Sequence, residues 1–91
     1  SGVLWSLANA LGETPFEAGR ARETNFDRFR IARFGDTPRS IETHLVDSGD
    51  ERPHGLGEPV VNPFAPALAN ALAALTGRRF RRLPLRSSDF A

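Results

Sequence analysis

Ninety-one residues and 10.0 kDa allow one domain at most, and a chain of that size buries only about 60–65% of its unfolded surface, which argues against a large enclosed active site within it. Twelve basic and eleven acidic residues leave a formal charge of +1, too balanced to imply a polyanion partner for the chain as a whole; every basic residue is arginine. With no cysteine and only His44 and His54, the sequence offers no disulfide framework, no thiolate zinc or iron-sulfur site and no His-rich metal centre.

The apolar runs fall far short of the roughly 20 residues that cross a bilayer, and no signal-peptide pattern opens the chain, so it reads as soluble, with cytoplasm and periplasm both open. A hydrophobic fraction of 40% and seven phenylalanines are globular values.

In chain order, Leu4, Leu7, Ala8 and Leu11 form a helical stripe that Gly12 ends. The abrupt apolar start, with no upstream cap, suggests a piece of something longer. From Thr14 to Thr24 a two-stranded hairpin is expected, with Gly19 able to take the positive φ of a tight turn. Asn25 to Phe34 interleaves Phe26, Phe29, Ile31 and Phe34 with Asp27, Arg28, Arg30 and Arg33, fits neither period, and reads as irregular or extended. Aromatic and arginine interleaving can serve single-stranded nucleic acid, but the plainer reading puts the phenylalanines in the core and the arginine heads in water.

Ser40 to Val46 is the clearest strand: Ile41, Thr43 and Leu45 fall on one face, Glu42, His44 and Val46 on the other. His44 reads as a solvent-facing strand histidine and His54 as a loop histidine near Glu58. A helix from about Phe64 to Thr76 follows, capped by Asn62 with Pro63 at its first position or starting at Pro66, with Leu68, Leu72 and Leu75 buried and Gly77 as its left-handed stop. A short strand from Arg79 to Leu83 closes the chain, with Phe80 and Leu83 inward and Arg78, Arg79, Arg81, Arg82 and Arg86 outward.

These elements predict an α+β fold: a small sheet with a hairpin and a C-terminal β-α-β unit, and two helices packed on the sheet. Between the Ser40–Val46 strand and the second helix lies Gly55-Leu56-Gly57-Glu58-Pro59, where one carboxylate stands between flexible glycines and a rigid proline. Such a loop lets backbone approach a cofactor without Cβ clashes and fixes Glu58 at its tip, as a general base requires; it is also a common connector before a helix. A phosphate cradle is disfavoured, because the P-loop Lys and Ser/Thr are missing.

Together, Asn25-Phe26, Pro38, the Ile41–Val46 strand, the Gly-Leu-Gly-Glu-Pro loop, Ala65-Pro66-Ala67-Leu68-Ala69-Asn70-Ala71 and Thr76-Gly77 through Leu85 resemble the C-terminal end of the molybdenum-binding subunit of the xanthine dehydrogenase and aldehyde oxidase family, most like isoquinoline 1-oxidoreductase beta subunits. The resemblance implies a bacterial oxidoreductase with a molybdenum–pterin cofactor in its cytosine dinucleotide form. It casts Glu58 as the catalytic base and Gly55, Leu56 and Gly57 as backbone neighbours of the cofactor, with no metal ligand in this chain. The implied partners are the remainder of the molybdenum subunit, an iron-sulfur subunit or domain, and a small aldehyde or N-heterocycle substrate. Family subunits are several times longer, so residues 1–91 are expected to form a single domain that is a C-terminal fragment, inactive and without bound cofactor alone. The alternative is a free-standing module that contacts nucleic acid or a protein through its Arg-rich C-terminal segment.

Overall fold

Small side chains decide how the two helices meet. The computed structural model describes residues 1–90, and in it α1 runs Gly2–Leu11 and α2 runs Val61–Thr76. Gly2 lies against Val60, and Ser6 and Ala10, one and two turns further on, are buried, as is Ala73 on α2. Ser6 disposes of its hydroxyl by donating to the Gly2 carbonyl at 2.7 Å. Residues this small bring the helix axes close, and the two helices pack on each other rather than on a sheet.

The large residues of α1 lie on the other side. Trp5 is 69% exposed, and Leu11 is also exposed, so the Leu4–Leu11 stripe is only partly covered, by the segment around Phe29. The phenylalanines do not form the expected core: Phe16, Phe26 and Phe34 are exposed and Phe29, Phe64 and Phe80 half-buried. The only buried apolar residues among those described are Ala10, Ala73 and Leu85.

The expected hairpin forms with strands β1, Phe16–Glu17, and β2, Arg20–Ala21, paired antiparallel with Phe16 opposite Ala21 and Glu17 opposite Arg20. Its two turn residues, Ala18 and Gly19, have φ of +50° and +74°, the geometry that suits the right-handed twist of a hairpin. Glycine takes it freely and alanine does not. Ala18→Gly is therefore expected to stabilise the hairpin by about 1 kcal/mol, measured as slower amide exchange at Arg20 and Arg22.

α2 begins earlier than either proline suggested. It starts at Val61, which puts Pro63 in the first turn and Pro66 inside the helix. Pro66 removes only the bond to the Asn62 carbonyl, an exposed acceptor close to the helix start, so the helix tolerates it. Of the predicted stripe, Leu68 and Leu72 are half-buried while Leu75 is exposed. Gly77 stops the helix as expected, with φ of 73° and its N–H on the Ala73 carbonyl at 2.8 Å.

The β-α-β unit is not formed among the described residues, because neither of its strands is. Ser40–Val46 has no regular secondary structure, and Arg79–Leu83 makes no ladder. The chain turns back along α2 instead, with Arg79 Nη1 donating to Asn70 Oδ1 at 3.3 Å, and Leu85 donates its N–H to the Ala10 carbonyl at 2.8 Å. That bond satisfies a last-turn acceptor of α1 and buries Leu85, which replaces Leu83 as the inward residue. The coarse α+β character, two helices and one two-stranded antiparallel sheet, holds.

The chain is open for its size. It exposes 8237 Å², about 3,000 Å² more than a compact monomer of its mass, and its radius of gyration is 16.0 Å against about 12 Å expected. The burial expected from length is not reached.

Candidate functional site

Glu58 sits one turn ahead of α2. Its carbonyl accepts the Val61 N–H at 3.0 Å, closing a turn over residues 58–61 that ties the loop to the start of the helix. Behind this turn stands the start of α1: a Cβ on Gly2 would lie 3.3 Å from the Val60 Cβ and 3.6 Å from the Gly57 carbonyl oxygen. The two helices thus brace the turn through backbone and small side chains. The long stretch before it, residues 38–57, makes no backbone–backbone hydrogen bond among the described residues.

Gly55, Gly57, Glu58, Pro59 and Asn62 line one shallow, open depression of about 650 Å³. The structure therefore brings together four of the five loop residues and adds Asn62, which the sequence suggested only as a helix cap. A signal for Asn62 was present: it lies four residues after Glu58, across a turn that joins directly to a helix, and four residues is one helical turn. Leu56 is exposed beside the depression rather than within its lining.

Glu58 is exposed, and its carboxylate makes no hydrogen bond or ion pair among the described residues. Among the described residues, apart from each glycine's chain neighbours, nothing lies within 4 Å of where a Cβ would stand on Gly55 or Gly57, and neither has positive φ. Neither packing nor backbone strain inside these 91 residues therefore requires glycine at those positions.

His54 does not partner Glu58. Its Nε2 lies 3.2 Å from Asp50 Oδ2, while His44 Nε2 lies 3.6 Å from Glu42 Oε2; both pairs are exposed. No group of three or more His, Asp or Glu able to hold a metal ion occurs among the described residues, and no described helix is long and apolar enough to cross a membrane. The Arg-rich segment forms no strand edge, and Phe80 within it is half-buried.

Neither a protein-family model nor a solved structure matches the chain. Three curated proteins do. It is 34% identical over 88 residues, 96% of its length, to a membrane-bound aldehyde dehydrogenase [pyrroloquinoline-quinone] of Gluconacetobacter polyoxogenes. It is 33% identical over 84 residues, 91% of its length, to one of the subunits of nicotinate dehydrogenase from Pseudomonas putida. It is 33% identical over 86 residues, 93% of its length, to the beta subunit of isoquinoline 1-oxidoreductase from Brevundimonas diminuta. The matches take up 11%, 7% and 11% of those relatives, so the chain spans about a tenth of their length or less.

Proposed function

We propose that this chain, a relative over nearly its whole length of the molybdenum-binding subunits of the xanthine dehydrogenase and aldehyde oxidase family, is a C-terminal segment of such a subunit and carries its general base, Glu58. The observation that supports this most directly is the depression around Glu58, where a single carboxylate stands beside two glycines that the chain's own packing does not require.

The residues present fit one wall of a cofactor site. Gly55, Leu56 and Gly57 offer backbone to a molybdenum–pterin group, in its cytosine dinucleotide form, while the atoms that hold the metal belong to the rest of the subunit. When bound, that group supplies oxygen-transfer and two-electron redox chemistry. Glu58 accepts a proton at a carboxylate oxygen, Pro59 and the turn onto Val61 fix the direction from which it does so, and the covering protein excludes water. A carboxylate taken out of water is a stronger base than one left in it.

The substrates are aldehydes or N-heterocycles, and electrons leave through an iron-sulfur subunit or domain. The names of the relatives agree with the substrate classes: one is an aldehyde dehydrogenase, and two carry the names of the N-heterocycles nicotinate and isoquinoline. One name also carries pyrroloquinoline quinone, so cofactor identity is a point for measurement. Metal analysis of the full-length protein is expected to give about one molybdenum per subunit and no quinone. The 91 residues alone are expected to bind no cofactor and to turn over no substrate.

The test of the base is Glu58→Gln in the full-length subunit, which should abolish hydroxylation with molybdenum content intact; near-normal turnover would sink the assignment. A second prediction follows from the brace behind the turn. Gly2→Leu, which drives a side chain into Val60 and Gly57, is expected to cut turnover about 10- to 100-fold, while Gly2→Ala needs only a few tenths of an ångström of give and should be near neutral.

A further inference from the structure

The segment Ser40–Val46 has the alternating sequence of a strand but belongs to no helix or strand among the described residues. Every residue in it is exposed, and among the described residues no backbone group from residue 38 to 57 bonds to another backbone group. Its residues nonetheless alternate in sequence as those of a strand do. Glu42 Oε2 and His44 Nε2, two residues apart, meet at 3.6 Å, a contact that side chains on one side of an extended backbone can make. In a strand the opposite side would carry Ile41, Thr43 and Leu45, of which Leu45 is 90% exposed.

Unpaired backbone with this side-chain pattern is the complement of a sheet edge. Each N–H and C=O seeks a partner, and the Ile41–Thr43–Leu45 face suits a covered layer while Glu42 and His44 suit water. The chain's own strands cannot serve, since β1 and β2 are two residues each and already paired with one another. The curated relatives are about nine or more times longer than the matched stretch, which leaves ample chain to supply the edge.

We infer that Ser40–Val46 adds as an edge strand to a sheet formed by the larger protein, with Ile41, Thr43 and Leu45 against its covered face. The inference rests on the proposal that these residues are part of a longer subunit, but not on the role of Glu58. It has a consequence for that role. The loop carrying Glu58 is then anchored at both ends, by the added strand before Asp47 and by α2 after Val60, so the carboxylate is held at a fixed point rather than at the end of a free tether.

Residue-resolved hydrogen exchange on the full-length protein tests this without reference to activity. An edge strand points alternate amides at its neighbour, so either the odd or the even set over residues 41–46 is expected to be protected at least about 100-fold over free peptide, independent of protein concentration. Thr43→Val should keep that pattern and Thr43→Pro should erase it in the flanking amides. Free-peptide exchange at all six positions would overturn the inference, as would protection of all six, which marks an interior strand. Protection that grows with protein concentration would overturn it too, by assigning the neighbour to a second copy. Loss of activity in Glu58→Gln with alternate protection intact, or the reverse, separates the two proposals.

Discussion

Glu58→Gln in the full-length subunit is expected to lower kcat by about 10² to 10⁴, the range over which a positioned general base contributes. Glutamine keeps the length and shape of the side chain, so the turn onto Val61 and the depression beside it should be undisturbed. What it removes is the ability to take a proton. KM should therefore change little and molybdenum content not at all, the signature of a group that acts in the transition state rather than in binding. Glu58→Asp makes a sharper comparison. It retains a carboxylate but withdraws it by one methylene, about 1.5 Å, and a displacement near 1 Å can cost about 100-fold. An intermediate rate for Asp identifies a base whose position matters; equal rates for Asp and Gln would point to a merely structural side chain.

How much of this could be read beforehand depends on whether a feature's partner lies inside the chain. The hairpin was legible because turn and register are local: two residues between short strands, one of them glycine, leave little choice. Gly77 was legible for the same reason, since a left-handed stop follows a helix whatever surrounds it. The Ser40–Val46 pattern is strand-like in period, yet it makes no ladder, and the one sheet among the described residues is a closed pair of two-residue strands. The core departs from expectation on the same principle. Hydrophobicity marks residues that need covering, not the surface that covers them, so Phe26, Phe34 and Leu75 point to a core that this chain does not build.

The candidate site divides in the same way. Glu58 and its glycines stand out in the sequence because they fall within residues 55–58, side by side along the chain. The bracing of the turn by Gly2 was invisible, since it joins residues more than fifty positions apart and depends on a residue with no side chain. The buried Leu85 was missed because its partner, the Ala10 carbonyl, is a backbone group at the far end of the sequence.

The second large effect concerns the 91 residues by themselves, which are expected to show no cooperative thermal or urea transition. A compact domain of this mass hides about 64% of its unfolded surface, whereas this chain, with 8237 Å² exposed, hides only about 43%. Native stability is a difference of a few kcal/mol between terms of order 100 kcal/mol, so a deficit of that size removes the margin. The exposed residues show where the missing burial belongs. Trp5 on α1, Phe26 and Phe34 in the irregular segment, and Leu45 and Val46 in the unpaired strand all lie outside the small α1–α2 contact. In isolation, far-ultraviolet circular dichroism should fade gradually with temperature, and Trp5, the sole tryptophan, should fluoresce as in water. A hydrophobic dye should bind. A sharp urea transition with a slope of about 1 kcal/mol/M, normal for a domain of this length, would show that the chain closes its own core. Reading it as a piece of a larger subunit would then lose its physical basis, since that reading requires the covering surface to be supplied by the rest of the protein.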